Sequence, residues 1–301
     1  MARERVGPAP TGPDPAPGPP AALVVIGTPI GNLGDLSPRA QRALAEAHVV
    51  ACEDTRRTRA LLSAVGIPVA GKRLLAVHEH NEAEKAAEIA GLVGGGRRVA
   101  LVTDAGMPAV SDPGERVVAA AAAAGLRVEI VPGPSALVAA LAASGLPSAR
   151  FVFEGFLPRK GPARRRRLAE LAAERRTAVL YEAPHRVRAT VEDLAGACGE
   201  QRPVVVAREL TKVHEDVWRG TLGGAAARLA AGPARGEFVI VLGGADEPQP
   251  ASDDDIERAL ASHFEAGADR RTAVAAVTLE LDVAKRRVYE AALRHTGGQL
   301  P

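Results

Sequence analysis

The sequence predicts an α/β protein with two domains and a short helical extension, and three observations support this fold class. The chain has 301 residues, more than one typical domain of about 100–200 residues contains. Hydrophobic residues make up 47% and charged residues 25%, which is usual for a globular protein with a sizeable core. From Ala21 onward, short apolar runs alternate with amphipathic runs, as in sheets that helices cover on both faces.

The first twenty residues differ from the rest of the chain. Residues 1–20 contain seven prolines and no apolar segment, so we predict a disordered, partly polyproline-like tail and not a signal peptide. The longest uncharged run, Ile130–Ala149, is interrupted by Pro132, Gly133 and Pro147. We therefore expect no membrane span.

The predicted N-terminal α/β domain covers residues 21–134. Its five short strands are Ala22–Gly27, His48–Cys52, Leu74–His78, Val99–Thr103 and Val128–Val131. The helices between them are one that Ser37 caps before Pro38, one over Thr55–Val65, one that Asn81 caps and that runs to Val93, and one from Asp112-Pro113 to Ala124. Buried strands that alternate with helices indicate a parallel sheet.

The predicted C-terminal α/β domain covers residues 135–245 and follows the same alternation. Its strands are Phe151–Gly155, Ala178–Tyr181, Val204–Ala207 and Phe238–Leu242, with helices near Pro162–Arg175 and Pro184–Ala197. A polar, proline-containing linker over Ala245–Asp255 leads into a helical extension, residues 253–297. Its predicted helices are Asp255–Glu265, Arg271–Leu279 and Asp282–His295, and the last two resemble a helix-turn-helix. Contact with an RNA backbone, packing in a dimer and a simple helical cap are all compatible with this pattern.

Charge and cysteine content exclude several classes of protein. The net charge of +2 excludes a histone-like polycation but permits local basic patches. Two cysteines, Cys52 and Cys198, cannot form a disulfide scaffold or a four-thiolate zinc site. They fit a reduced cytoplasm, and nothing in the sequence requires a metal.

Four elaborate loops follow predicted strands, where open α/β sheets bind their ligands. They are Gly27–Asp35, Cys52–Thr58, Thr103–Gly114 and Val131–Ala136. None contains the glycine fingerprint of a dinucleotide site or the Gly-Lys-Ser/Thr of a P-loop. Three of these loops also suit a purely structural role, the first as an ordinary strand-to-helix turn and two others because Asp54, Thr55 and Ser135 are typical helix caps, whereas Thr103–Gly114 is too elaborate for a plain turn.

Taken together in order, these loops and later segments carry a specific resemblance. The segments are GTPIGNLGDLSPRA, CEDTRRTRALL, HEHNE, TDAGMPAVSDPG, VPGPSALVAALAASGLP, FEGFLPRKG, YEAPHR, RELTKVHED and GEFVIVLGG. Over about 22–242 the chain is similar to the tetrapyrrole-methylase-like family of S-adenosylmethionine (SAM) enzymes, and within it to the bacterial 16S ribosomal RNA cytidine 2′-O-methyltransferases. Met107 and Ala183 stand where the family often has Thr and Ser, and neither difference removes an ionisable group.

The resemblance implies a class III methyltransferase fold, with SAM in the cleft between two α/β domains. It implies methyl transfer to the ribose of cytidine 1402 in 16S rRNA of the 30S subunit, and we further expect a cytoplasmic homodimer. Related methylases hold SAM with residues that correspond here to Thr28, Pro29, Gly31, Asp104, Gly106, Pro108, Ser111, Ser135, Ala136, Tyr181, Glu182 and Glu237.

A ribose hydroxyl is a poor nucleophile, so a general base is expected. Asp54 is the first candidate, with Glu53, His80 and Glu209 as others, and the sequence does not choose between them. Basic groups that suit RNA phosphates are Arg56, Lys160, Arg164, Arg165, His185, Arg186 and Lys212. For the run Arg164–Arg167 a solvated helix face is the alternative, and for His185 a core or capping role.

Two other functions use the same features. A precorrin or uroporphyrinogen C-methyltransferase on this scaffold would also need cationic side chains for its acidic substrate, although HEHNE, GFLPRKG and YEAPHR favour the RNA enzyme. A non-enzymatic nucleic-acid-binding regulator that uses the C-terminal helices would leave the loops at the strand ends unexplained.

Overall fold

The computed structural model describes residues 19–246 and 251–296. These divide into two compact units, one that ends at Ala245 and one that begins at Asp246. The predicted proline-rich tail lies outside the described residues except for its last two positions, as do residues 247–250 of the predicted linker and residue 297. Among the described residues, no helix combines the length and the apolar character that crossing a bilayer requires.

The first sheet consists of five parallel strands, as the sequence predicts. They are β1 (Ala22–Ile26), β2 (Val49–Cys52), β3 (Arg73–Ala76), β4 (Arg98–Leu101) and β5 (Val128–Val131), in the spatial order β3-β2-β4-β1-β5. Strand β1 alternates strictly, since Val24 and Ile26 face one core and Leu23 and Val25 face the other. Helices therefore cover both faces of the sheet.

Four helices provide this cover. Helices α1 (Pro38–Glu46) and α2 (Thr55–Ala64) pack on one face, and α3 (Glu82–Gly94) and α4 (Glu115–Ala123) pack on the other. A short 3-10 helix, Leu33–Asp35, lies in the loop after β1. Ser37 caps α1 as expected, by accepting a hydrogen bond from the Ala40 amide at 3.1 Å.

Asn81 occupies the N-cap position of α3, as predicted, but without the expected side-chain capping bond. The Asn81 side chain does not bond to the first turn of the helix. It instead accepts from the His78 amide at 2.9 Å and donates to the Ala76 carbonyl at 3.2 Å. Asn81 thus fixes the turn between β3 and α3, a local role that competes with capping for this residue type.

The second sheet is mixed, which corrects the expectation that the second half repeats the first. Its strands are β6 (Phe151–Phe156), β7 (Thr177–Glu182), β8 (Pro203–Arg208), β9 (Asp216–Thr221) and β10 (Phe238–Leu242), in the order β6-β7-β10-β8-β9. Only β6 and β7 pair in parallel, and the other three neighbouring pairs are antiparallel. Strands β8 and β9 form a hairpin, and β10 returns between β7 and β8.

Helices also cover both faces of the second sheet. Helix α5 (Ala136–Ser144) packs on one face, against Val179, Val205 and Val239. The other face carries α6 (Gly161–Ala173), α7 (Val187–Cys198) and α8 (Leu222–Ala230). Both sheets belong to the first compact unit, so contacts between the two halves are part of one folded body.

The second unit is a small helical body. It contains α9 (Asp253–Glu265), α10 (Arg270–Glu280) and α11 (Lys285–Thr296). Their apolar faces form a core of their own, centred on Ile256, Leu260, Val274, Val277 and Val288. Ser252 and Asp255 form a capping box at the start of α9.

Candidate functional site

The loops that leave β1, β4 and β5 pack tightly together at the carboxyl ends of these strands. Thr28 and Gly106 exchange backbone hydrogen bonds of 2.9 and 3.1 Å, and the Thr28 hydroxyl donates to the Thr103 carbonyl at 3.1 Å. A Cβ on Gly133 would lie 2.8 Å from the Gly27 backbone, so these two loops touch main chain to main chain. The result is a firm floor beneath a cleft.

Two adjoining cavities open above this floor. The inner cavity, of about 320 Å³, is lined by Ile30, Ala105, Gly106, Met107, Val110, Ser111, Asp112, Ser135, Ala136, Phe156, Tyr181, Glu182, Ala183, Pro184, Glu237, Phe238 and Val239. The outer cavity, of about 390 Å³, is lined by Thr28, Pro29, Ile30, Gly31, Leu33, Arg57, Thr58, Ala60, Leu61, Ala64, Thr103, Asp104, Ala105, Lys212 and Glu237. Ile30, Ala105 and Glu237 border both, so two ligands in these cavities would meet there.

The inner cavity has apolar walls and few polar groups. The Tyr181 hydroxyl accepts a hydrogen bond from the Leu137 amide at 3.1 Å and so joins β7 to the first turn of α5. Phe153 and Phe156 contact the Tyr181 ring edge-on, with centroid distances of 5.0 and 5.8 Å. Burial raises the pKa of Tyr181, so the phenol is neutral at physiological pH.

Three carboxyl groups gather around Thr103 between the two cavities. The Thr103 hydroxyl donates to Glu53 at 3.4 Å, and Asp104 and Asp112 follow in the same loop. Burial, and then repulsion from Glu53, raise the pKa of Asp112 to about 6, while hydrogen bonding to Thr103 opposes this. Burial and repulsion from Asp104 also raise the pKa of Glu53. We call Glu53, Asp104 and Asp112 the carboxylate cluster.

Asp104 is the member that borders the outer cavity. It accepts a hydrogen bond from the Asp54 amide at 3.1 Å and forms an ion pair with Arg57 at 3.4 Å. These contacts connect the end of β4 to the start of α2. Arg57 lines the same cavity and gives it a cationic wall.

The loop after β8 closes the outer cavity from the second half. Lys212 forms ion pairs of 2.8 Å with Glu209 and 2.9 Å with Glu237, and a Cβ on Gly31 would overlap the Lys212 side chain. Glu209 and Thr211 have φ values of 50° and 67°. This left-handed backbone is uncommon for residues with side chains and is a known feature of ligand-binding loops.

The comparisons with known proteins agree with this architecture. A model of the family described as Tetrapyrrole (Corrin/Porphyrin) Methylases matches residues 22–226, which is well over half of the chain. The chain belongs to the tetrapyrrole methylase family.

Ribosomal RNA small subunit methyltransferase I of Xylella fastidiosa is 52% identical over 234 residues, which cover 77% of this chain and 85% of the relative. The protein of the same name from Synechocystis is 42% identical over 273 residues, 90% of this chain and 97% of the relative. These relatives place the chain in the family of ribosomal RNA small subunit methyltransferase I.

Solved structures show the same fold at lower sequence identity. The methyltransferase CobJ is 24% identical with a TM-score of 0.56, over 74% of this chain and 94% of that chain. Uroporphyrin-III C-methyl transferase from Thermus thermophilus, complexed with S-adenyl homocysteine, is 22% identical with a TM-score of 0.50, over 74% and 91%. This tetrapyrrole methylase thus shares its fold with these two solved structures.

The structure brings together nearly all the positions predicted to hold the cofactor. Gly106, Ser111, Ser135, Ala136, Tyr181, Glu182 and Glu237 border the inner cavity, and Thr28, Pro29, Gly31 and Asp104 border the outer one. Pro108 is buried beneath the loop and borders neither cavity. The Glu182 carboxylate is also directed away from the cleft, since it accepts from Thr190 at 2.6 Å and pairs with Arg186 at 3.2 Å. At Glu182, a ligand could therefore meet only the backbone.

Three of the four predicted base candidates are poorly placed in this methylase. Asp54 caps α2 and pairs with Arg56 at 2.9 Å, and these hydrogen bonds lower the pKa of Asp54 to about 2. Hydrogen bonding to Lys212 lowers the pKa of Glu209. His80 is exposed beyond β3, the edge strand farthest from β5, and borders neither cavity. Of these four candidates, only Glu53, a member of the carboxylate cluster, has a pKa that is shifted toward neutrality.

The basic residues divide into exposed and internal ones. Arg56, Lys160, Arg165 and His185 are exposed. Arg164 is buried, with bonds to Asp193, Thr190 and the Pro158 carbonyl, and Arg186 is held by Glu182 and the Leu157 carbonyl. Both guanidinium groups make contacts that hold the second half together, so the exposed Lys160 and Arg165 are better placed than Arg164 and Arg186 to meet an RNA phosphate. Lys212 lies at the cleft, where two carboxylates neutralise it.

Asp112 and Arg57 are the functional candidates that sequence reasoning missed. Asp112 precedes a proline before a helix, so the pattern predicts a helix start there. In the structure α4 begins later, after Gly114 with φ of 136°, and Asp112 is left free to border the inner cavity. Arg57 lies within a run of basic residues that gives no indication of which one faces the cleft.

Proposed function

We propose that this chain is a SAM-dependent methyltransferase of small-subunit ribosomal RNA that methylates the 2′-hydroxyl of a cytidine, at position 1402. The observation that carries the proposal is the pair of cavities that share a border, in a chain 52% identical to a ribosomal RNA small subunit methyltransferase I. One cavity suits the methyl donor and the other suits the acceptor. The base, the ribose atom and the position 1402 rest on the sequence resemblance.

The inner cavity fits SAM by its chemistry. SAM combines a flat adenine, a ribose diol and an amino acid end, so it needs apolar walls, hydrogen-bond acceptors and backbone amides. Phe156, Val239 and Ala136 supply apolar surface, and Glu237 supplies a hydrogen-bond acceptor. The first turn of α5 borders the cavity at Ala136, and the positive end of the helix dipole there favours a carboxylate. Uroporphyrin-III C-methyl transferase from Thermus thermophilus, which shares this fold, is complexed with S-adenyl homocysteine.

The outer cavity fits a nucleotide of a large substrate. Its wall carries Arg57 and Lys212, both suited to phosphate groups, and Asp104, which can accept a hydrogen bond from a ribose hydroxyl. Arg165 and Lys160 provide further exposed positive charge at the start of α6. A substrate held at several remote points can use that binding energy to position the reacting hydroxyl.

Asp112 is the group that takes the proton of the acceptor hydroxyl. When SAM is bound, it supplies a methyl group on a sulfonium, and transfer breaks the S–CH₃ bond and forms an O–CH₃ bond. The hydroxyl proton passes to the Asp112 carboxylate, whose pKa of about 6 makes it a better acceptor than Asp54. Thr103 orients the cluster through its bond to Glu53. Asp112 releases the proton to solvent after the turnover.

An RNA substrate in the small ribosomal subunit also implies where the protein acts and what it binds. Because 16S rRNA and the 30S subunit are its partners, we expect the protein to act in the cytoplasm, where ribosomes assemble. We also expect a homodimer, in which helices α9–α11 contact either RNA or the second copy. Sedimentation of the purified protein would determine the oligomeric state.

A methyl-transfer assay tests the proposal. The purified protein is incubated with tritiated SAM and, in parallel, with 30S particles, naked 16S rRNA, cytidine and uroporphyrinogen. We expect label in 30S particles or 16S rRNA and none in cytidine. Transfer to uroporphyrinogen would contradict the proposal and favour a tetrapyrrole methylase. Arg42→Gln, at an exposed position of α1 away from both cavities, is a matched control for the cleft variant Arg57→Gln, which should lower transfer.

A further inference from the structure

A third cavity lies on the opposite face of the second sheet from α5. It has a volume of about 310 Å³, near the lower end of the ~300–1,000 Å³ of typical ligand sites. Its floor is apolar, with Val206, Trp218 and Phe238, and its rim carries Arg208 and Arg228. We call it the Trp218 cavity. Neither the sequence resemblance nor the cleft accounts for it.

The sheet register places its key residues side by side. Arg208 on β8 lies opposite Asp216 on β9, and Phe238 on β10 lies opposite Arg208. Val206 likewise lies opposite Trp218. Because residues that pair across strands point to the same face, a row of Phe238, Arg208 and Asp216 forms one side of the cavity.

Two glycines make room for the indole ring. A Cβ on Gly220 would lie 2.5 Å from the Trp218 ring, and one on Gly224 would lie 3.3 Å from it. The ring therefore lies over the backbone at these positions. Trp218 remains partly exposed and borders the cavity, so it offers a fixed aromatic surface to a ligand.

Arg208 is the unusual member of this cavity. Asp216, directly across from it, forms its ion pair with Arg228, at 2.9 Å. Within residues 19–246, the Arg208 guanidinium has neither a hydrogen-bond acceptor nor an ion-pair partner, and its Nε is buried. A buried donor without an acceptor is unfavourable, and an anion in the cavity would satisfy it.

The Trp218 cavity lies next to the cleft along the chain. Arg208 directly precedes Glu209, which pairs with Lys212 at the outer cavity, and Phe238 directly follows Glu237, which borders both cleft cavities. Consecutive Cα atoms are only about 3.8 Å apart. Phe238 itself borders both the inner cavity and the Trp218 cavity, so the two cavities adjoin at this end of strands β8 and β10, within reach of one extended polynucleotide.

We infer that the Trp218 cavity binds a nucleotide of the same RNA strand, beside the methylated cytidine, with its base on Trp218 and its phosphate on Arg208. The inference rests on the proposed function, because it assumes an RNA substrate. Base stacking on a fixed aromatic ring together with an arginine–phosphate contact is a common way to hold single-stranded RNA. Such a contact would help to set the register of the strand in the cleft.

The single tryptophan makes the test specific. Trp218 is the only tryptophan in the chain, and naked RNA contributes no tryptophan fluorescence. Titration with a 16S rRNA fragment around the methylated cytidine should quench the fluorescence of the full chain. The variant Arg208→Gln should weaken this binding about tenfold or more, whereas Arg188→Gln, an exposed arginine of α7, should not change it. Cytidine monophosphate and inorganic phosphate are the competing probes.

Steady-state kinetics of methyl transfer to 30S particles provide a second test. Trp218→Ala and Arg208→Gln should each raise KM for 30S particles about tenfold. The affinity for SAM, measured by calorimetry, should stay unchanged in both. Trp218→Phe, which keeps an aromatic ring, should retain most of the methyl-transfer activity. Unquenched fluorescence together with normal methyl transfer would overturn the inference and leave the proposed function intact. Equal quenching by free cytidine monophosphate would also overturn it, in favour of a free-nucleotide site. If no RNA accepts a methyl group, the proposed function fails first, and the inference with it.

Discussion

The carboxyl group of Asp112 sets the pH range in which we expect the cleft to work. The group is partly buried, and Glu53 and Asp104 are acidic neighbours. Both effects disfavour the charged form, which is why the pKa of Asp112 rises to about 6. A carboxyl group with this pKa is charged at neutral pH and still basic enough to accept a proton.

The variant Asp112→Asn tests this role at the residue scale. Methyl transfer should fall by about 10²–10⁴-fold, and the rise of the wild-type rate through pH about 6 should disappear. Glu192→Gln, on the exposed face of α7, should keep both the rate and the profile. A pH–rate profile of Asp112→Asn that matches the wild type would exclude Asp112 as the proton acceptor.

The same variant should also change stability. The folded-state pKa of Asp112 lies above its ordinary value of 3.8, so the folded chain binds more protons than the unfolded chain between about pH 4 and pH 6. Stability contributed by this group therefore falls as pH rises through that window. Asp112→Asn should raise the free energy of unfolding by about 1–2 kcal/mol at pH 8, after allowance for partial exposure, and by little at pH 4. Urea unfolding at the two pH values measures this difference.

At the scale of elements, α6 shows that neighbouring arginines can have opposite roles. Arg164 bonds to Asp193 at 2.8 Å and to Thr190 at 3.1 Å, and so ties α6 to α7. The Thr190 hydroxyl in turn donates a hydrogen bond to Glu182 of β7. Arg165, the next residue, is exposed, and among residues 19–246 it has no ion-pair partner.

The pair Arg164→Ala and Arg165→Ala should separate folding from RNA binding. Arg164→Ala leaves the Asp193 carboxylate without its ion-pair partner and the Thr190 oxygen without a donor, so the free energy of unfolding should fall by about 1–3 kcal/mol. Arg165→Ala should stay within about 0.5 kcal/mol of the wild type and flatten the salt dependence of RNA binding. Urea unfolding and filter binding at several salt concentrations measure both. A stable Arg164→Ala protein with weakened RNA binding would reverse this assignment.

The junction of the loops after β1 and β5 requires glycine at position 133. A Cβ on Gly133 would lie 2.8 Å from the backbone of Gly27, which has no side chain that could move aside. Gly133→Ala should lower the free energy of unfolding by about 1–3 kcal/mol and weaken SAM binding. Gly91→Ala, at an exposed position of α3 with open space around it, should instead stabilise by about 0.5–1 kcal/mol. Equal effects of the two variants would show that the two loops can move apart to accommodate the added methyl group.

Regular elements with strong apolar patterns could be predicted from sequence, and weakly patterned ones could not. The first sheet follows from five buried runs such as Ala22–Ile26. Strand β9 was missed because DVWRGT has no apolar run, and its pairing with β8 alone makes it a strand at the sheet edge. The antiparallel return of β10 was missed because its own apolar pattern is the same in either direction.

At the scale of the whole molecule, the cleft is a product of long-range packing. The loop after β1, the Thr103–Gly114 loop, Tyr181 and the Lys212 loop are far apart in sequence and meet only in the folded chain. The sequence resemblance could indicate most of the residues that line the cleft. It could not show that Glu182 and Arg186 bond to each other, or that three carboxyl groups repel one another, because both are properties of distances in space.

Alkaline hydrolysis of the labelled product tests most directly whether the methyl group is transferred to a ribose hydroxyl of small-subunit RNA. A 2′-O-methyl group blocks alkaline cleavage at its own nucleotide, because cleavage needs the free 2′-hydroxyl. After reaction of 30S particles with tritiated SAM, we expect the label in an alkali-resistant dinucleotide that begins with cytidine. Label released wholly as mononucleotides would contradict the account and indicate methylation of a base.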